Sequence, residues 1–152
     1  MRPWEHAVTA RAARALLCLL APAVVTAAVP REWYQSTATT VLDTRTGLTW
    51  QRVPSTTPAT ASAAAATCQA LALGGFSTGW RLPTIKELLT LVNEDRGDPA
   101  IDIEAFPDTV SVVYWSSTPA ANQPGMFWGL AFMWGTTDIR SGTDTALARC
   151  VR

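Results

Sequence analysis

The sequence predicts an α+β domain in which two helices pack on a small antiparallel sheet. Three observations support this fold class: a β-rich hairpin at the start of the domain, two helical segments after it, and strand-like segments in the last third of the chain. The 152 residues are 48% hydrophobic and 16% charged. This length and composition fit one packed domain and exclude a disordered chain.

The hairpin consists of two β-rich runs, residues 39–42 and 48–51, around a loop that ends at Gly47. Glycine adopts the backbone conformations that tight reversals need, so this pattern predicts two paired strands. Residues 54–58 are rich in serine, threonine and proline, which is typical of a loop.

Two helices are predicted after that loop. Residues 61–73 favour helix almost throughout, and a Gly-Gly pair then supplies a stop signal. Thr84 and Glu87 have the spacing of a capping box, so the second helix should begin at Thr84. Its apolar residues recur at helical spacing until about Asn93, where the helix should end.

The segment at the start of the second helix is assigned a structural role. Arg81 is expected to pair with a carboxylate or with backbone carbonyls and so to fix the helix start. Binding of an anionic ligand by the planar guanidinium of Arg81 is the alternative. The other residues given a structural role here are Trp80, Thr84 and Glu87.

The second half of the domain starts with an irregular stretch, residues 94–110. Strands are predicted at residues 112–118, 126–134 and 146–151, with a loop at 119–125 and a turn at 136–143. In the middle strand the large side chains share one parity, so they should face the core together. These residues are Trp128, Leu130, Phe132 and Trp134.

The first 28 residues have the three parts of an export signal: arginines, an apolar run at 15–25, and small residues up to Ala28. A membrane anchor is the alternative, but the run is shorter than the roughly 20 residues that span a bilayer, and Pro22 interrupts it. We therefore expect a cleaved signal peptide at 1–28, a lead-in at 29–38 and the domain at 39–152. The protein should be exported to the periplasm or the cell surface.

Cleavage would remove Cys18 and leave two cysteines, Cys68 and Cys150, in an oxidising compartment. We expect them to form one disulfide between the first helix and the last strand. Two free thiols with a redox or catalytic role are the alternative. Reactive cysteines need a nearby base or cation, and the only histidine, His6, would leave with the signal.

Six blocks of the sequence, taken in order, resemble the family typified by the C-terminal domain of the Legionella collagen-like adhesin, the Lcl C-terminal domain family. The resemblance covers nearly all of the chain from Thr39 to Arg152. The blocks are residues 43–52, Cys68, 80–88, 106–107, 114–118 and 149–152.

The resemblance implies a C-type-lectin-like fold, with two helices beside a twisted antiparallel sheet and long irregular loops that face a ligand. The best known member of the family is implied to be a surface adhesin that binds sulfated glycans from a collagen-like trimeric stalk. The present sequence has no collagen-like repeat, its only lysine is Lys86, and its arginines are dispersed.

In such a fold the ligand should meet the irregular segments at residues 95–106, 119–125 and 136–143. The tryptophans at positions 115, 128 and 134 could stack on a sugar, although their parity favours core packing. Trp128, at the rim of a loop, is the first aromatic candidate, and Tyr114 is the second. The predicted ligand-binding residues are thus Tyr114, Asn122, Gln123, Trp128 and Asp138.

No cofactor is expected. Asp95, Asp98 and Asp102 could ligate calcium, but their spacing matches no calcium loop and a solvated loop is favoured.

Arg149 and Arg152 could form a small cationic spot, although solvated strand ends are more common. No nucleophile elbow or catalytic triad is recognisable, and the active-site motif of the lectin-like formylglycine-generating oxidases is missing, so the protein is not predicted to be an enzyme.

The sequence therefore predicts an exported, non-enzymatic binding module that recognises a glycan or a protein at the cell envelope, as an adhesin does. The alternative is a structural or assembly subunit of an envelope complex without small-ligand binding. The formal net charge of zero gives no reason to expect nucleic acid as a partner. No transmembrane segment is expected after cleavage.

Overall fold

The computed structural model describes residues 33–152, so the predicted signal peptide lies outside the described residues. The described part has two short helices and two antiparallel sheets of three strands each, which confirms the α+β class but divides the predicted sheet in two. The elements are β1 (Tyr34–Ser36), β2 (Thr40–Asp43), β3 (Thr49–Gln51), α1 (Ala61–Gln69), α2 (Ile85–Leu89), β4 (Val113–Pro119), β5 (Met126–Ala131) and β6 (Thr136–Ser141).

The first sheet has the order β1-β2-β3, and the predicted hairpin forms its β2-β3 half. Strand β1 lies in the segment predicted as a lead-in, where it pairs with β2 from Tyr34 opposite Asp43. Arg45 helps to hold this edge: its guanidinium lies 4.2 Å from the centre of the Trp33 ring, and its Nε is 3.3 Å from the buried carboxylate of Asp43.

The second sheet has the order β4-β5-β6 and differs from the prediction at its end. The predicted strand at 126–134 ends at Ala131, and the predicted turn at 136–143 contains strand β6. The chain reverses between them at Gly135, whose φ of 69° suits glycine and where a Cβ atom would lie 2.6 Å from a methyl group of Val92. The tight turn thus replaces the last residues of the predicted strand.

The predicted strand at 146–151 is also wrong as a regular strand. This C-terminal segment makes single bridges to Ala59, Tyr114, Trp50 and Arg81 rather than a continuous ladder with one neighbour. It therefore runs between the two sheets and connects them through backbone hydrogen bonds.

Both helices are shorter than predicted. Helix α1 ends at Gln69, and the predicted residues 70–73 leave the helix for a tight turn that contains Gly74 and Gly75 in left-handed conformations. Helix α2 ends at Leu89, because the Thr90 hydroxyl donates a hydrogen bond of 2.7 Å to the Glu87 carbonyl and competes there with regular helix bonding.

The disulfide between Cys68 and Cys150 is present, with a Cα–Cα distance of 5.4 Å. It joins α1 to the C-terminal segment and lies in a buried cluster with Trp80, Leu82 and Trp115. A second cluster fills the space between α2 and the two sheets, and includes Trp50, Leu88, Phe106, Tyr114, Leu130 and Phe132. The domain thus has two adjoining cores rather than one.

The capping box at the start of α2 is confirmed. The Thr84 side chain accepts a hydrogen bond from the Glu87 backbone N–H, and the Glu87 carboxylate accepts one from the Thr84 N–H. Arg81 donates to both oxygens of the same carboxylate, at 2.6 and 2.8 Å. Arg81 therefore has the predicted structural role and fixes the start of the helix.

This arrangement predicts an acid-sensitive contribution to stability. The hydrogen bond from Arg81 lowers the pKa of Glu87 to about 2; burial opposes this shift, and the Thr84 hydrogen bonds add to it. Because the folded pKa lies below the unfolded value, the ionised carboxylate stabilises the fold above about pH 4.5, and this stabilisation disappears as the pH falls towards 2. Urea unfolding should show that Glu87→Gln lowers the free energy of unfolding at pH 7. Its difference from the wild type should shrink as the pH falls from about 4.5 towards 2.

The matched control is Glu94→Gln, which changes an exposed carboxylate and should leave the pH profile of stability unchanged. If the free energies of unfolding of the wild type and Glu87→Gln differ by the same amount from pH 7 to pH 2, the prediction is wrong.

Candidate functional site

The structure does not bring the five predicted ligand-binding residues together. Tyr114 is fully buried: its ring packs edge-on against Phe132, and its hydroxyl accepts a hydrogen bond from the Val110 N–H. The prediction of Tyr114 as a surface contact is therefore wrong, because this side chain belongs to the core.

The other four predicted residues lie on separate surfaces. Trp128 is half-buried and pairs with Ile139, so it lies on the opposite sheet face from Asp138, which pairs with Gly129. Asn122 and Gln123 are exposed in the β4-β5 loop, at the far end of the hairpin from the β5-β6 turn. A single pocket formed by all of them is excluded by this placement.

The three aspartates considered for calcium are not gathered into a metal-binding group among the described residues. Within residues 33–152 no group of three acidic, histidine or cysteine side chains has a geometry that could hold a metal ion. The Asp102 carboxylate instead accepts hydrogen bonds from the backbone N–H groups of Glu104 and Ala105, at 2.9 and 3.2 Å. It thereby stabilises the turn within the long irregular stretch.

Arg149 is not a solvated strand end. It is completely buried, its guanidinium donates to the carbonyls of Gln51 and Arg52 and to the Thr109 hydroxyl, and it lies 4.8 Å from the centre of the Phe106 ring. Burial lowers the pKa of Arg149 to about 10, with a smaller opposite effect from Tyr114, so the side chain remains a cation at pH 7. Arg149 therefore supports the core and cannot reach a surface ligand.

The surface that best fits a ligand is a cleft beside the β5-β6 turn, which we call the Trp134 cleft. Its volume is about 440 Å³, within the range of small-molecule sites. Trp134 is 70% exposed at its rim. The prediction that Trp134 faces the core is thus wrong. The lining includes Val112, Val113, Met133, Trp134, Arg140 and Thr145.

The turn holds Trp134 in this position through contacts with the irregular stretch. The Asp98 N–H donates to the Met133 carbonyl at 2.9 Å, and the Ala100 N–H donates to the Phe132 carbonyl. A Cβ atom at Gly97 would lie 3.7 Å from the Trp134 ring, so the backbone at Gly97 lies against the edge of the indole. One edge of the ring is thus supported by backbone while most of the side chain stays open to solvent.

Arg140 supplies a polar group in the wall of the cleft. Its terminal nitrogens make two long ion pairs, at 3.5 Å to Asp138 and 3.7 Å to Asp144. Its Nε atom is buried and has no hydrogen-bond partner within the described part of the chain. The cleft therefore combines an exposed aromatic ring, an apolar floor and a guanidinium flanked by two carboxylates.

A second cleft, of about 390 Å³, lies between α1 and the far end of the second sheet, where its lining includes Ala61, Ala65 and Phe127. The hydroxyls of Ser116 and Ser117 lie in its wall, but they donate to the carbonyls of Trp128 and Pro83, respectively. The other two hydroxyls in the lining, of Ser62 and Thr143, contact those of Thr60 and Ser141. All four hydroxyls are thus engaged within the chain, and the Trp134 cleft is the better candidate.

In the described part of the chain, neither helix has the length and apolar character needed to cross a bilayer. No curated protein matches the sequence. Among protein families, the Lcl C-terminal domain matches residues 39–152.

Proposed function

The chain belongs to the Lcl C-terminal domain family, and on that premise we propose that it is an exported, non-enzymatic binding module that recognises a glycan at the cell envelope through the Trp134 cleft. Export is supported by the signal-like pattern at residues 1–28 and by a disulfide, a bond that persists in oxidising compartments.

The observation that carries the proposal is the exposed indole of Trp134 beside a cleft whose wall contains the guanidinium of Arg140. An aromatic ring packs well on the apolar face of a sugar, and carboxylates and guanidinium groups bind its hydroxyls. Exposed large aromatic residues rimmed by polar groups are typical of binding surfaces. Arg140 supplies a guanidinium donor in the cleft wall, and the hydroxyl of Thr145 in the same lining can accept as well as donate.

We further propose that the domain is a C-type-lectin-like fold. In support, two helices accompany antiparallel strands, a long irregular stretch reaches the candidate cleft, and the disulfide connects the first helix to the C-terminal segment. In this interpretation the sheets form a rigid base, and the loops around Trp134 determine which ligand binds. No metal or cofactor is part of the proposal.

A glycan array with the purified chain, run with and without calcium, tests the proposed function. We expect binding to selected glycans that does not depend on calcium. Trp134→Ala should weaken it by about 2 kcal/mol, roughly 30-fold, as truncation of a central aromatic contact does. Because Trp134 is mostly exposed, the variant should keep its free energy of unfolding to within about 0.5 kcal/mol.

Phe76→Ala is the matched control, because it removes an aromatic side chain that is 38% exposed and stacks on Arg152 rather than in the cleft. Binding by this variant should equal that of the wild type. If Asn122→Ala and Gln123→Ala abolish binding while Trp134→Ala does not, the site is in the β4-β5 loop and the Trp134 cleft is the wrong surface.

An assembly role remains the second candidate, because the rim of the cleft is apolar beyond Trp134. Val112 and Met133, which line it, are each 41% exposed, and such patches also form contacts between proteins. In that case no glycan would bind, and Trp134→Ala would weaken association with an envelope protein instead.

A further inference from the structure

Strand β6 forms an open edge of the second sheet. Among the described residues it pairs with β5 alone, over all six of its residues from Thr136 to Ser141. Open edges of this length are templates for pairing with another chain unless some feature blocks them. The sequence of β6 contains neither proline nor glycine. The Ser141 carbonyl at its end already accepts a hydrogen bond from the Asp144 N–H, which leaves one lone pair of that carbonyl for a further strand.

The hydrogen bonds of the hairpin determine which backbone groups are free. Gly142 N–H donates to the Gly125 carbonyl, which makes the neighbouring Met126 and Ser141 a non-hydrogen-bonded pair. Hydrogen-bonded and non-hydrogen-bonded pairs alternate along an antiparallel ladder. The N–H and C=O groups of Thr137 and Ile139 therefore point away from β5.

The charged residues of β6 fit a second copy of the same strand. Asp138 and Arg140 lie on either side of Ile139 and share one sheet face. When two β6 strands pair antiparallel about a two-fold axis at Ile139, each Asp138 faces the Arg140 of the other copy. These are non-hydrogen-bonded pairs, in which opposite side chains approach most closely.

We propose that the protein forms a symmetric dimer through antiparallel pairing of two β6 strands centred on Ile139. The two sheets become one continuous six-stranded sheet, and two symmetric Asp138-Arg140 contacts fix the register. A shift of two residues in either direction places Asp138 opposite Asp138 or Arg140 opposite Arg140, and like charges that face each other are unfavourable. The charge pattern thus selects one register and disfavours its neighbours.

The side chains have room for these contacts. Asp138 and Arg140 are 50% and 33% exposed, and their ion pair within one chain is long, at 3.5 Å. Each carboxylate can accept further hydrogen bonds from the guanidinium of the other copy. The dimer would also carry two Trp134 clefts at opposite ends of the joined strands, so that binding to a repetitive ligand gains from avidity.

Sedimentation equilibrium of the full chain tests this proposal. The wild type should dimerise with rising concentration. Asp138→Arg and Arg140→Asp should each remain monomeric, because every facing pair then has like charges. An equal mixture of these two variants should form a heterodimer, and the double variant Asp138→Arg/Arg140→Asp should dimerise by itself. Asp95→Arg, a charge reversal at an exposed loop residue, should dimerise like the wild type.

A backbone variant tests the edge without changing a charge. Thr137→Pro removes an N–H that points away from β5, so it should keep the hairpin and abolish the dimer. A wild type that stays monomeric at every concentration would overturn the proposal. So would single charge variants that dimerise as well as the wild type, or a mixture of them that stays monomeric.

Discussion

Replacing Cys68 and Cys150 together by alanine is expected to lower the free energy of unfolding by about 2–5 kcal/mol. The bridge spans 82 residues, and the chain-entropy model gives about 4–5 kcal/mol for closing a loop of that length in the unfolded state. Both cysteines are also buried in the cluster that contains Trp80 and Trp115, so their loss removes packing as well. Urea unfolding under oxidising conditions measures the difference.

The wild type after reduction is the control, because it loses the bond but keeps both side chains in the core. It should unfold at a midpoint between those of the oxidised wild type and the double alanine variant. Equal midpoints for all three would mean that the bridge does not restrict the unfolded chain, and the prediction would then be wrong.

The features that the sequence predicted correctly depend on few residues or on chemistry alone. Thr84 and Glu87 form a capping box because their spacing is fixed by one helical turn. Cys68 and Cys150 pair as the only two cysteines left after the predicted signal peptide. The β2-β3 hairpin needs only two β-rich runs and a glycine. The capping box and the hairpin are indicated within one segment each, and the disulfide is indicated by the number of cysteines.

The features that it missed depend on contacts between distant segments. Strand β5 ends early because residues 98 and 100 donate hydrogen bonds to the turn that follows it, and no local pattern shows this pairing. The alternation of large and small residues therefore continued in sequence after the strand had ended. The exposure of Trp134, and with it the candidate cleft, follows from the same turn. A glycine at position 135 was the one local indication of a reversal there.

The burial of Arg149 had no such indication, since a charged residue near the end of a chain is usually solvated. Its partners are the carbonyls of Gln51 and Arg52 in and just after β3 and the hydroxyl of Thr109 in the irregular stretch, 40 or more positions away in sequence. The two terminal nitrogens of the planar guanidinium donate to all three at once, whereas a lysine would have to reach the same groups from a single nitrogen. The side chain thereby ties the C-terminal segment to two otherwise separate parts of the fold.

Arg149→Met should therefore lower the free energy of unfolding by about 3–5 kcal/mol, because it leaves buried carbonyl and hydroxyl groups without donors. Arg149→Lys should recover only part of this loss, since it keeps the charge but not the planar geometry. The pKa of Arg149, lowered to about 10, shows that burying the cation itself costs stability, and this cost is relieved only above that pH. The sign of the measured change in the free energy of unfolding therefore decides whether the lost hydrogen bonds or the relieved burial of the cation has the larger effect.

Urea unfolding at pH 7 of the wild type, Arg149→Met, Arg149→Lys and the control Arg152→Met provides the measurement. Arg152 is only half-buried and stacks on Phe76 at 3.6 Å from the ring centre, so its replacement should change stability by less than about 1 kcal/mol. A more stable Arg149→Met variant would show that desolvation of the cation outweighs its hydrogen bonds, as happens for some buried ion pairs. Loss of stability with methionine and partial recovery with lysine would instead identify the hydrogen bonds of the guanidinium as the reason for its burial.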